Sequence, residues 1–334
     1  MKASLNPSRN FESVIQNGLT RVLPQFLGRT QKPKVDIVTN TATYNLFDND
    51  CKMILTPYDK LSFPQLTVGA NKLLIAFISE FTKSNHRNSL QPNLAVSIPL
   101  EDYVRLTKGP DVNITKTLID NTRKKIKRDL DILFYSSFEW TENRRGESKG
   151  YMGIHLLSMR GIKNGIIFAN FTPEFAKCLL DSYVMTAVPN DFYAMDERNP
   201  NAYSLAWKLI THNSIDNNQK ANTANILNVG RLLKSLPDIP TVEEVLSSDR
   251  HITNRIIDPF EAALDSIPII SHWEYCSSGG AVLPNKQAEF SSYEDFANSY
   301  IKYEIANAPD HKSRIQTKQD KQTKKKKATT AEKK

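Results

Sequence analysis

Residues 97–140, SIPLEDYVRLTKGPDVNITKTLIDNTRKKIKRDLDILFYSSFEW, decide the reading of this chain, because two helical segments and then an alternating one follow one another within them. Ser97 can cap a short helix whose first turn suits Pro99, and Leu100 to Leu106 continues it. Gly109-Pro110 stops it. A long helix is then predicted from about Ile114 to Leu133, with Ile114, Leu118, Thr122, Ile126, Leu130 and Leu133 on its apolar face. After it the period drops to two. Phe134, Ser136, Phe138 and Trp140 share a face, a polar loop runs from Glu142 to Gly150, and Tyr151 to Met159 returns as the second strand of a hairpin. A further turn, Arg160 to Gly165, leads to a strand Ile166–Phe171, and Thr172-Pro173-Glu174 opens a helix ending near Leu180. Short helix, turn, long helix and hairpin are the parts of a winged helix in their order.

Upstream, Leu66, Ala70, Leu73, Leu74, Phe77, Ile78 and Phe81 recur at three- and four-residue steps and predict a core helix. Residues 1–50 are polar and weakly periodic. They are read as an arm with one short helix, FESVIQNGLTRVL, and one extended segment, KVDIVTNTATYNLF. Downstream the same order returns without sequence identity. Tyr203, Leu205, Ala206, Leu209 and Ile210 mark a helix, Val229 to Leu236 a short one, and Ile252 to Ile267 a longer one. A strand Ile269–Cys276, a Gly279-Gly280 wing with a small helix near Tyr293, and a strand through Ile305 follow. Pro259 inside the longer helix predicts a kink or a later start.

The fold expected is α+β, mainly helical: tandem winged-helix domains at 51–188 and 189–308, an arm at 1–50, and a disordered basic tail at 309–334. Length agrees, since 334 residues exceed the usual single domain. The tail contains hardly any apolar residue and cannot offset its ordering entropy. Residues 311–334 hold ten Lys or Arg against two acids, which equals the net +8 of the whole chain. The rest is neutral overall, so total charge is no argument that the folded part binds nucleic acid.

Charge placement is. Lys116, Arg123, Lys124, Lys125, Lys127 and Arg128 lie off the apolar stripe of the first long helix, with Asn113, Thr115, Thr117 and Asn121 near its start. These residue types reach phosphates and base edges when a helix enters a major groove. A charged helix face can also be merely solvated. Arg144, Arg145 and Lys149, at the tip of the hairpin that follows, weigh against that, because a wing there would hold the adjacent backbone or minor groove. In the second unit Arg250, His251, Asn254 and Arg255 precede the apolar residues of the longer helix. The run Lys324 to Lys327 can add non-specific attraction but no sequence preference.

Other classes find little support. There is no phosphate-cradling GxxxxGK[ST] loop and, with twelve glycines in all, no dinucleotide fingerprint. The six histidines form neither HxH nor HExxH, and the three cysteines lie far apart, as free thiols of a reducing compartment would. No catalytic residue, metal or cofactor is expected. No apolar run approaches a membrane span and no secretory leader is recognisable, so a cytoplasmic, nucleoid- or plasmid-associated protein is expected. Tyr203 and Trp207, four apart on a helix, are read as core, as are Trp140 and Trp273.

VSIPLEDYVRL, TRKKIKRDLDILFYSSFEW and IIFANFTPEF in the first unit, with AYSLAWKLI, VGRLLKSLP and ITNRIIDPFEAALDSIPIISHWEY in the second, resemble plasmid replication initiators built from two winged-helix domains. The likeness covers about residues 50–306 and rests on diffuse patterns. It implies binding of double-stranded DNA at origin repeats, origin opening, recruitment of a host helicase or initiator protein, and a homodimer–monomer equilibrium. It would make the helix near Arg250 the main sequence reader and the Lys116–Arg128 helix auxiliary, whereas charge density favours the reverse. Both surfaces therefore stand as DNA candidates. A two-domain winged-helix transcriptional regulator is the alternative, and a winged-helix module that binds only other proteins is a third.

Overall fold

The helix that starts at Val68 has no solvent face along most of its length, its polar Asn71, Lys72, Ser79 and Glu80 being buried with the rest, and the first unit is assembled around it. In the computed structural model the chain is described over residues 11–306, apart from 17–19, 21–22, 28–32, 47–50, 57–65, 86–88, 143–149, 182–183, 217–224, 248–250, 284–289 and 291. In chain order the first elements are β1 (Phe11–Gln16), a 3-10 turn (Leu23–Leu27), β2 (Lys34–Asp36), β3 (Thr41–Leu46) and β4 (Cys51–Leu55). Next come α1 (Val68–Ser84), β5 (Ala95–Pro99), α2 (Leu100–Lys108) and α3 (Lys116–Tyr135). The unit continues with β6 (Ser136–Glu142), β7 (Gly150–His155), β8 (Leu157–Lys163), β9 (Ile166–Phe171) and α4 (Pro173–Asp181).

Helix α1 is buried from Val68 through Thr82. The Thr67 side chain caps it, accepting from the Ala70 amide at 2.9 Å. Strands β5, β9 and β8 form one antiparallel sheet in that order. Period-two burial of Val96 and Ile98 on β5, and of Ile167, Ala169 and Phe171 on β9, turns one face to α1. Phe171 meets Phe81 of α1 edge-on at 5.4 Å, a geometry aromatic pairs prefer.

The remaining strands make a second antiparallel sheet in the order β2-β3-β4-β6-β7. This revises two expectations. The hairpin Ser136–His155 pairs with β4 rather than with β5, so the hairpin that completes the three-stranded sheet is the next one, β8–β9. Within the expected arm, residues 1–50, the described strands are built into the fold: β2 and β3 extend the five-stranded sheet, and β1 pairs with a strand near residue 188. Ser97 is also a strand residue rather than a cap, for α2 starts one residue after Pro99 and has no side-chain cap.

The second unit runs β10 (Val184–Pro189), α5 (Asn190–Ala194), α6 (Pro200–Asp216), β11 (Ile226–Asn228), α7 (Val229–Leu233) and α8 (Val242–Ser247). A π-helical turn (Thr253–Ile257) then leads directly into α9 (Asp258–Asp265), followed by β12 (Ile270–Cys276), α10 (Tyr293–Asn298) and β13 (Tyr300–Ile305). Its sheet order, β11-β13-β12, repeats that of β5-β9-β8. Pro259 explains the π turn. It offers no N–H, and widening the preceding turn lets the Asp258 amide bond five residues back, to the Thr253 carbonyl.

An aromatic cluster of the second unit is tied to the N-terminal segment. Phe192 stacks on Tyr203 at 4.6 Å and lies 5.5 Å from Trp207. The Trp207 indole donates to the Thr20 carbonyl at 2.9 Å, and the Ser204 hydroxyl to that of Pro24 at 3.0 Å. Tyr203 and Trp207 are thus core, as expected, and the N-terminal segment stitches the two units together. Among the described residues, no helix is long and apolar enough to cross a membrane.

Candidate nucleic-acid interface

Helix α3 is divided lengthwise by its sequence. Thr115 caps it, accepting from the Leu118 amide at 3.2 Å. Ile126, Leu130, Ile132 and Leu133 are buried against α1 and the β5-β9-β8 sheet, while Leu118 and Thr122 are half-buried. Lys116, Arg123, Lys124, Lys125, Lys127 and Arg128 are all exposed, as are Asn113, Thr115, Thr117 and Asn121. Arg123 lies 3.0 Å from Asp120, and Lys125 pairs with Glu197. Among the described residues, Lys116, Lys124, Lys127 and Arg128 have no carboxylate partner. They are free to neutralise phosphates.

Beside the helix stands the β8–β9 hairpin. Its turn, Asn164-Gly165, has φ of 51° and 73°, the pair of positive values that a tight two-residue hairpin turn demands. Arg160 ties the hairpin to the helix. Its Nε and Nη2 both lie 2.7 Å from Oδ1 of Asp131, and its guanidinium sits 3.9 Å from the centre of the Phe134 ring. Such a charge-assisted, ring-stacked contact contributes about 1–2 kcal/mol. Between α3 and β8 a cleft of about 590 Å³ opens, with Arg123, Lys124, Lys127 and Arg160 around a floor of Leu130 and Ile162. Helix and hairpin together make one cationic surface.

Beneath this surface lies a buried polar cluster that the sequence did not signal. Asp129, one turn from Lys125, is 3% exposed and accepts from the Thr67 hydroxyl at 2.8 Å. Burial pushes its carboxyl up to about 6, against the opposing pull of Thr67 and Lys125. On α1 the side chain of Lys72 is 1% exposed, donates to the Met195 carbonyl at 2.5 Å and lies 3.9 Å from Glu197. Burial lowers its ammonium to about 8, with Glu197 opposing. Gly69 leaves room for this assembly, since a Cβ there would stand 2.6 Å from Asp129 Oδ2.

In the second unit His251, Asn254 and Arg255 are exposed around the start of the π turn, while Ile256, Phe260, Ala263 and Leu264 are buried. Trp273 is buried and its indole donates to Asp265 at 2.8 Å. Arg144, Arg145, Lys149 and Arg250 lie outside the described residues, as do the tail and its Lys324–Lys327 run. Arg160 falls outside the candidate residues read from the sequence, because the first alternating stretch after α3 reads as the wing. Asn164-Gly165 between alternating residues was the stronger hairpin signal.

Compared with known proteins, the chain matches no family model and no curated protein. Among solved structures it is similar to domains 2 and 3 of RctB, in a selenomethionine form and in a second crystal structure. The identity is 10% in both, 86% of this chain and 97% of that chain are covered, and the TM-scores are 0.42 and 0.41.

Proposed function

We propose that this protein is a non-catalytic, sequence-specific DNA-binding protein made of two winged-helix units, and that it initiates replication at repeated origin sites. The observation that carries the DNA-binding reading is the cationic cleft between α3 and β8. A helix presents four cations that have no carboxylate partner among the described residues, on the side away from its core, and Arg160 holds a hairpin against the same edge. A duplex seated there would place α3 in a groove and the hairpin against the flanking backbone.

The winged-helix assignment is supported by order and pairing. In each unit a helix, a strand and further helices precede the two strands that complete a three-stranded sheet, with β6 and β7 inserted ahead of them in the first unit and α10 between them in the second, and in each sheet the last strand lies between the other two, as in β5-β9-β8 and β11-β13-β12. Exposed His251, Asn254 and Arg255 give the second unit a polar helix start in the corresponding place. The initiator role rests on the resemblance of the sequence to plasmid initiators, which also motivates a homodimer–monomer equilibrium, a helicase or initiator partner, and a cytoplasmic setting. A transcriptional regulator would use the same surfaces. Target architecture separates the two: regularly spaced repeats beside the gene favour an initiator, and a single promoter palindrome favours a regulator. The test is selection of bound fragments from DNA flanking the gene, followed by inspection of their spacing. Absence of any selected fragment would overturn sequence-specific binding.

A further inference from the structure

Lys125 differs from its neighbours on the basic face of α3. Whereas, among the described residues, Lys124, Lys127 and Arg128 have no carboxylate partner, Lys125 is engaged by Glu197, in the connector between α5 and α6 of the second unit. We propose that Glu197 is an intramolecular stand-in for DNA phosphate at Lys125, so that docking of α3 on a duplex releases the connector between α5 and α6 of the second unit. The proposal rests on the reading of α3 as a DNA-contacting helix.

The geometry supplies both halves of such an exchange. The Lys125 side chain is 45% exposed, so its ammonium can swing to a phosphate, while that of Glu197 is 28% exposed and held from behind. Behind it stands Lys72, 1% exposed, anchored on the Met195 carbonyl and 3.9 Å from the same Glu197 oxygen. When Lys125 leaves, Glu197 keeps one cation partner, the buried one, so its charge is not stranded. The backbone of α3 need not move for this exchange, because Asp129, four residues on, stays bonded to Thr67. What loosens is the segment around Glu197. It includes Asn199, whose side chain caps α6 by accepting from the Ala202 amide at 3.0 Å. A local contact with phosphate therefore reaches the second unit through one glutamate.

The exchange has a salt signature. A cation already paired with a carboxylate releases fewer counterions when it meets a phosphate than a free one does. Removing Glu197 should thus both tighten binding and steepen its salt dependence, and both changes should require Lys125.

The experiment measures binding of the full chain to a short mixed-sequence duplex over a salt series, in a cycle of wild type, Glu197→Gln, Lys125→Gln and the double variant, with hydrogen exchange of the wild type with and without the duplex. Glu197→Gln is expected to bind about two- to five-fold tighter at low salt. Its log–log salt slope is expected to be steeper by about one unit. In the Lys125→Gln background the same change should do nothing, and in the wild type the duplex should speed exchange of amides in residues 195–202. An equal gain in both backgrounds would mean a plain net-charge effect and would overturn the proposal. So would no gain, or a connector whose exchange the duplex leaves unchanged. The exchange comparison needs no variant and decides the matter even if Glu197→Gln folds poorly. The reading beneath is tested separately by Lys124→Ala, Lys127→Ala and Arg128→Ala combined: if that protein binds as wild type does, α3 is not the DNA surface at all.

Discussion

Asp129 and Gly69 show how much of the candidate interface is set by residues that never face it. The Asp129 carboxyl titrates near 6 when folded, against 3.8 for an unperturbed one. The folded protein therefore holds this proton more tightly than the unfolded chain. Its contribution to stability is fully present below about pH 4 and is lost as the pH rises through 6. Asp129→Asn removes that titration, so urea unfolding should show the variant gaining on wild type by on the order of 2 kcal/mol between about pH 4 and pH 8. Parallel pH profiles for the two proteins would refute the assignment. At Gly69 a Cβ would lie 2.6 Å from Asp129 Oδ2 and 3.1 Å from Lys125 Cε, with Glu197 as close. Gly69→Ala should therefore cost about 1–3 kcal/mol in a denaturant titration; a neutral substitution would mean that α1 and α3 are not held at this distance by the cluster. None of this was legible in the sequence. Lys72 sits in an ordinary-looking helix, and its partners at Met195 and Glu197 are more than a hundred residues away.

Among elements, α3 was the most legible and the sheets the least. Its 3.6-residue stripe put Ile126, Leu130 and Leu133 inside and six cations outside, which the structure repeats residue by residue. The register of β4 against β6 left no such trace. It pairs Met53 with Phe138 across a long stretch of chain, and alternation within a strand says which face is buried, not which strand lies alongside. That is why alternation alone points to the hairpin directly after α3 as the wing, whereas β8–β9 occupies the place beside α3. Arg160 is the test of that placement. Arg160→Ala should loosen the β8–β9 hairpin from α3, lowering thermal stability by about 1–2 kcal/mol. It should also weaken DNA binding, although its guanidinium is largely turned inward. A variant as stable as wild type would mean that the Asp131 and Phe134 contacts do not hold the hairpin.

For the whole molecule, the sequence disclosed two units of like order and hid what joins them. The aromatic cluster of Phe192, Tyr203 and Trp207 is closed by Thr20 and Pro24, long-range contacts that no local pattern reports. These bonds, with that of the Tyr203 hydroxyl to the Asn71 side chain of α1 at 2.9 Å, restrain the relative motion expected of two units linked only by a polar connector. The basic tail acts on a different principle. Because residues 311–334 carry charge equal to the whole net +8, deleting them should weaken binding to every duplex alike and flatten its salt dependence. A changed preferred sequence on deletion would show instead that the tail takes part in recognition.

The claim that α3 and its hairpin form a DNA-reading surface is tested most directly by footprinting the full chain on DNA flanking its own gene at physiological salt, beside the variant with Lys124, Lys127 and Arg128 replaced by Ala. The account predicts discrete, regularly spaced protected sites for the wild type and their loss in the variant. Identical protection by both proteins, or none by either, would contradict it.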